Sequence, residues 1–231
     1  MEFLSDSIAS ACRLIWDLDP ELLAIVVLSL EVSCLSTALA GIAGVPAGIL
    51  IALNDFPGKR LCITICNTLL ALPTVVVGLF AYAFISRKGV LGAYDLLYTP
   101  AAIVIGQTIL LFPVITTFVL SAVARLDDRY RKTALTLGAG PVRLAGTIIR
   151  ESRFGIVAAF ILAFGRVIAE VGISMMLGGN VKGYTRTITT AMALEYDKGE
   201  FTLSVALGMV LLAVSFSVNI LFHAIQGRSR I

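Results

Sequence analysis

The chain has 231 residues, 58% of them hydrophobic and 14% charged, with a net charge of +3 and a mean hydropathy of +0.95. A soluble domain carries about a quarter charged residues, so these values exclude an ordinary water-soluble domain and leave an integral membrane protein. The small net charge, with no long basic run and no aromatic RNA-binding motif, excludes nucleic acid as a partner.

Residues 1–21, MEFLSDSIASACRLIWDLDPE, carry acids where a signal peptide would have a basic start. A short apolar stretch, Trp16 and an Asp-Leu-Asp-Pro turn follow. This composition predicts an amphipathic segment lying at the interface with Trp16 as its anchor. A hydrocarbon core of ~30 Å needs about 20 apolar residues of helix, and five stretches meet that length. They run from Leu22 to Leu53 with Pro46 inside, Leu61 to Ile85 with Pro73, Ala101 to Val123 with Pro113, Phe154 to Leu177, and Leu203 to Ile225. None alternates with period two as barrel strands do. The prediction is an all-α integral membrane protein of about five transmembrane helices. Residues 22–225 form its membrane domain and 226–231 a tail.

Lys and Arg set the orientation. One set of connections carries eleven of them: Lys59, Arg60, Arg125, Arg129, Arg131, Lys132, Arg143, Arg150, Arg153, Arg228 and Arg230. The other carries six: Arg13, Arg87, Lys88, Lys182, Arg186 and Lys198. The positive-inside rule then places the N-terminus outside and the C-terminus in the cytoplasm. Residues 124–153 become a large cytoplasmic loop.

Within the spans, Gly44-Val-Pro-Ala-Gly48 is a GxxxG pattern suited to close helix approach. It reads as packing within one subunit in preference to a dimer seam. Cys62 and Cys66 lie in an apolar run without a nearby His, and the single His223 has no ligand partners, so a metal site is not expected. Arg166 and Glu170 sit inside the fourth span. Spacing of four residues places them on one face, where they would neutralise each other as a structural pair or line a polar pathway near the outer end. Glu31, near the outer end of the first span, reaches the interface by extending its side chain. After the fourth span comes GGNVKGYTRTITTA, with Gly178, Gly179, Asn180, Lys182, Thr185 and Arg186. Freed amides, cations and hydroxyls of this kind suit an oxyanion, although a solvated outer loop has the same composition.

No catalytic residues are found. The chain lacks a P-loop, HExxH, GxSxG and intramembrane aspartates, which argues against an enzyme and against ATP binding by this subunit. The polar stretch RKTALTLGAGPVRLAGTIIRES, residues 131–152, is the longest interruption of the apolar pattern. A short helix through Thr133–Leu137 is broken by Gly138-Ala139-Gly140-Pro141, because Gly tolerates positive φ and Pro suits the first turn of a new helix. The product is a compact cytoplasmic knob fit to enter a groove on another protein.

This stretch resembles the cytoplasmic EAA loop of binding-protein-dependent ABC importer permeases. Ala134 and Gly138 match the pattern's second Ala and its Gly, and Ile148 matches its Ile. The core Leu137, Gly138, Ala139 and Pro141 is intact, whereas Lys132 and Thr133 replace Glu-Ala, and Arg150 and Glu151 replace Leu-Pro. Residues 67–79, 106–123 and the first helix are similar to the membrane helices of the same family. Residues 166–195 look most like tungstate permeases within the tungstate and molybdate branch.

The resemblance implies a type I ABC importer permease fold in the cell's cytoplasmic (inner) membrane. It implies a homodimer with a second copy of the chain, two ABC ATPase subunits that bind ATP and Mg, and an extracytoplasmic oxyanion-binding protein. Lys132, Thr133, Ala134, Leu137, Gly138, Ala139, Gly140, Pro141 and Arg143 would form the ATPase-coupling loop. Arg166, Glu170 and loop 178–191 would lie near the outer gate. Tungstate is the expected cargo, with molybdate next and sulfate or phosphate behind. An ATP-independent secondary transporter and a membrane scaffold subunit are the rivals from other classes.

Overall fold

In the computed structural model the described residues are 8–9, 12–13, 15–17 and 19–227, the side chains of Asp128, Asn219 and residues 221–227 apart. Most of the expected interfacial segment, the end of the tail and the His223 side chain fall outside them. Within that segment Trp16 is 87% exposed. Nine helices of known bounds follow: α1 Pro20–Leu53, α2 Lys59–Leu70, α3 Thr74–Ile85, α4 Pro100–Ala124, α5 Asp128–Thr136, α6 Pro141–Ile168, α7 Gly172–Gly178, α8 Ile188–Lys198 and α9 Phe201–Gly227. No strand occurs among the described residues.

Local chemistry sets the starts of the long helices. Asp19 caps α1, its carboxylate accepting from the amides of Glu21 (2.9 Å) and Leu22 (3.0 Å) ahead of a proline first turn. Thr99 caps α4 in the same way, accepting from Ala102 N at 3.3 Å before Pro100. Proline at that position loses no hydrogen bond and has the helical φ already set. Pro46 and Pro113 lie inside α1 and α4 without ending them.

α1 and α4 form the central pair and run parallel. Ser36 meets Gln107, Gly44 meets Ile115 and Gly48 meets Val119, so partner numbers rise together. α2 and α3 make the return crossing between them. Lipid tails are as apolar as leucine, so helices in a membrane associate through close packing and hydrogen bonds more than through hydrophobic burial. The glycines supply the packing. A Cβ on Gly48 would stand 2.7 Å from the carbonyl oxygen of Thr116, and one on Gly41 2.2 Å from the Phe160 ring. The GxxxG surface is therefore consumed inside the subunit, as its sequence reading favoured. The core here is Ala40, Ile49, Leu111, Ile115, Val119, Ala159 and Val167.

Among the described residues, three helices are long and apolar enough to cross a membrane, and two bent pairs bring the number of spans to as many as five. The bends correct the second and fourth predicted spans. Leu61–Ile85 is not one helix: α2 and α3 meet at 103° across Ala71, Leu72 and Pro73. Pro73 cannot donate to the preceding turn, and its ring excludes the residue before it from helical backbone. Phe154–Leu177 likewise breaks at 169–171, where α6 and α7 meet at 61°. No proline marks that break. There the Glu170 carboxylate takes over the amide of Ile173 at 3.1 Å. The first, third and fifth spans lie where expected, within two residues at each end.

Candidate functional site

The expected knob is a helical hairpin of α5 and the start of α6. The predicted helix through Thr133–Leu137 is the second half of α5, which begins earlier, at Asp128, behind the N-cap Asp127. Gly138 has φ +75°, and Ala139 N reaches back to Ala134 O at 3.0 Å while Gly138 N reaches Leu135 O at 3.0 Å. This is the paired closure that left-handed glycine allows at a helix end. Gly140 then leads into Pro141 at the first turn of α6. The bend presents Leu137 (81% exposed) and Val142 (86% exposed) on either side of the Gly-Ala-Gly-Pro break. Ala134 is buried and Ile148 is 2% exposed. Lys132, Thr133, Leu137, Gly138, Gly140, Pro141 and Arg143 form the exposed surface of the hairpin. Ala139 is half-buried beneath them. Beside the tip, Tyr130, Thr133, Leu137 and Thr147 line a cleft of ≈ 510 Å³.

At the opposite end of α1 lies the loop between α7 and α8. Its cations do not stand free. Lys182 pairs with Glu21 at 2.6 Å, and Arg186 bridges Glu21 (3.4 Å) and Glu195 (3.7 Å). Lys198 completes the network on Glu195 at 2.9 Å. The hydroxyls are equally engaged. Thr185 donates to Gly178 O at 2.6 Å and accepts from Val181 N at 3.0 Å, and Thr189 donates to Glu170 O at 2.7 Å. Asn180, at φ +51°, donates to Thr190 O at 3.2 Å. Gly178 is buried, and Gly179, at φ +71°, lies against the ring of Tyr98. The segment is clamped to α1 and α8 through Lys182, Arg186 and the threonines, while Val181, Lys182, Gly183 and Tyr184 remain exposed.

Arg166 and Glu170 do not face each other. α6 ends at Ile168, so the four-residue spacing no longer sets one face, and no ion pair joins them. Arg166 Nη2 turns to Leu70 O at 3.4 Å, at the end of α2. Glu170 is buried and caps α7. The two helix breaks touch: a Cβ on Gly172 would lie 3.1 Å from Thr74 Oγ1 and 3.2 Å from Glu170 Oε1.

Sequence reading missed the polar node between the central helices. Ser36 Oγ donates to Gln107 Oε1 at 2.8 Å, and Gln107 Nε2 donates to Ser174 Oγ at 3.4 Å, tying α1, α4 and α7 together. Ser29 Oγ accepts from Ile188 N at 2.8 Å and joins α8 to the same bundle. Ser29, Ser33 and Ser36 recur at helical spacing along α1, which was the available signal. At the mouth of the 86–98 loop, Tyr82, Ser86, Arg87, Lys88 and Tyr98 line a further cleft of ≈ 700 Å³. Arg87 pairs there with Asp95 at 3.1 Å.

A helical membrane bundle with broken spans, a clamped loop at one end and an exposed hairpin at the other is the build of a transporter's membrane subunit. The chain belongs to the binding-protein-dependent transport system inner membrane component family, whose pattern matches residues 44–231. It is 36% identical over 226 residues to the tungstate uptake system permease protein TupB of Peptoclostridium acidaminophilum, covering 98% of this chain and 99% of that one. It is 32% identical over 213 residues to the molybdenum transport system permease protein ModB of Escherichia coli strain K12, covering 85% and 93%. Among solved structures, the inward-facing MetNI methionine ABC transporter shares the fold. Its TM-score is 0.72 at 18% identity, over 92% of this chain and 96% of that one. The protein is therefore an inner membrane component of an ABC importer.

Proposed function

We propose that the chain is the permease of an ATP-driven importer for tungstate, working as a homodimer with two ATPase subunits and an extracytoplasmic binding protein. The observation that carries the coupling is the hairpin tip. Leu137 and Val142 flank the Gly138–Pro141 bend as exposed apolar residues on a mostly polar surface. Such a knob, seated on a helix that continues into the membrane, fits a groove on a moving partner. The orientation follows the cationic loops, with the hairpin in the cytoplasm and loop 178–187 outside. ATP and Mg belong to the partner subunits in this reading, since the chain has no phosphate-binding loop.

Tungstate is favoured by the 36% identity over nearly the whole chain to a tungstate permease. Molybdate is the second reading, favoured by the more distant molybdenum permease. The test is reconstitution of the chain with its ATPase and binding protein in proteoliposomes. Binding protein loaded with tungstate should stimulate ATP hydrolysis and uptake more than binding protein loaded with molybdate or sulfate. Uptake without the ATPase would overturn the reading in favour of a secondary transporter.

A further inference from the structure

We propose that the polar edge of α2, formed by Arg60, Thr64, Asn67 and Thr68, together with Arg166 of α6, is the path of a tetrahedral oxyanion from mid-membrane to the cytoplasmic side. The inference rests on the oxyanion-permease reading and adds to it the residues that carry the ion.

α2 reads KRLCITICNTLL. At ~100° per residue, Arg60, Thr64, Asn67 and Thr68 fall on an arc of about 100°. All four are exposed. Leu61 and Ile65 are exposed beside them, and Cys66 is buried on the far side. The open surface of α2 is thus divided into an apolar strip and a polar strip. Lipid suits the first and not the second: a polar group left without a partner in hydrocarbon costs several kcal/mol. Asn67 is the sharpest case, because its amide has no hydrogen-bond partner among the described residues. Thr64 and Thr68 donate to Arg60 O and Thr64 O, each at 2.9 Å, and rotation about one bond frees either hydroxyl.

Arg166 supplies an independent observation. Its Nε is buried without a partner, and Nη2 has only the 3.4 Å contact to Leu70 O. No carboxylate pairs with it among the described residues. Lys182 and Arg186, by contrast, are neutralised by Glu21 and Glu195. Arg166 lies within the membrane span, since its neighbour Val167 lines a small pocket with Gln107 of α4 and Ser33 of α1. An intramembrane charge without a counter-ion marks an ion pathway, and a guanidinium presents the planar donors that an oxyanion takes.

From the Arg166 end of α2, Asn67 and Thr68 come first, then Thr64, then Arg60 about 10 Å below Asn67. Donors spaced near one helical turn, each binding weakly, let an ion enter and leave.

The test uses the full complex in proteoliposomes, with Cys12, Cys34, Cys62 and Cys66 replaced by Ser. Single replacements Thr64→Cys, Asn67→Cys, Thr68→Cys, Leu61→Cys and Ile65→Cys are exposed to a membrane-impermeant sulfonate thiol reagent. Positions 64, 67 and 68 should react at least about tenfold faster than 61 and 65, the contrast expected between a wet and a lipid-facing strip. Asn67→Leu and Asn67→Asp should each cut tungstate uptake by about tenfold while ATP hydrolysis stimulated by the binding protein persists, and Asn67→Gln should restore uptake. Equal protection of all five positions, or wild-type uptake by both Asn67→Leu and Asn67→Asp, overturns the inference alone. A wild-type complex that hydrolyses ATP but moves no oxyanion defeats the functional reading, and the path with it.

Discussion

Ser36 on α1 and Gln107 on α4 share a 2.8 Å hydrogen bond at a point where both side chains are buried, and Gln107 passes the connection on to Ser174 on α7. Three helices that are apolar almost throughout are fixed in relative depth by this chain. Leucines alone would let them slide, because every position along such a surface looks alike.

Replacing Gln107 by Leu should therefore remove both cross-helix bonds, leaving Ser36 Oγ to Val32 O alone and Ser174 Oγ without Gln107, and cost about 1–3 kcal/mol. Thermal loss of the monodisperse peak in detergent would report it as a lowered midpoint. Combining Gln107→Leu with Ser36→Ala and Ser174→Ala should recover much of the loss, since replacing all partners removes the unpaired groups. A triple variant less stable than Gln107→Leu would contradict the node.

At the hairpin, Gly138→Asp should leave the protein in the membrane but uncouple ATP hydrolysis from uptake. A Cβ at Gly138 meets nothing within 4 Å, so the strain comes from φ +75°. That strain is about 1–2 kcal/mol, too small to unfold a bundle of this size but placed in the docking tip, together with a new charge. Normal uptake by this variant would count strongly against the docking role.

Glycines on α1 and α6 should respond oppositely to one methyl group. Gly48→Ala would press on the Thr116 carbonyl and the Val119 side chain and should lower stability. Gly146 lies exposed on α6 with open space around it, so Gly146→Ala should stabilise by up to about 1 kcal/mol. Paired melting curves of the two variants give the comparison directly.

Glu195→Gln should loosen the clamp on loop 178–187. Arg186 is buried and would keep Glu21 at 3.4 Å but lose the buried charge of Glu195, at a cost of up to about 3 kcal/mol, the lower end for breaking a buried pair. Protease cleavage within loop 178–187 should accelerate. An unchanged cleavage rate would mean the network does not hold the loop.

Much of the architecture was readable because long apolar runs and proline first turns speak locally. Pro20, Pro100 and Pro141 each open a helix, and Gly138 marks the hairpin bend. The breaks were harder to read. Pro46, Pro73 and Pro113 look alike in sequence, yet only Pro73 separates two helices, since tertiary packing decides whether a proline kinks or ends a span. The break at Glu170 had no proline at all, and its cause is a side chain replacing a backbone acceptor. The pairing expected of Arg166 with Glu170 failed for that reason: a spacing argument holds only while the helix does. Ser29, Ser33 and Ser36 were visible as residues, but their partners Gln107 and Ile188 lie far away in the chain.

α6 runs unbroken for 28 residues from Pro141 to Ile168, a rod of about 42 Å. One end carries the hairpin tip and the other carries Arg166. Such a rod is a lever arm: a tilt of about 5° at its hairpin end displaces the far end by roughly 4 Å, more than the length of a hydrogen bond. The contact between Arg166 and the Leu70 carbonyl, already long, is the first that such a swing would make or break.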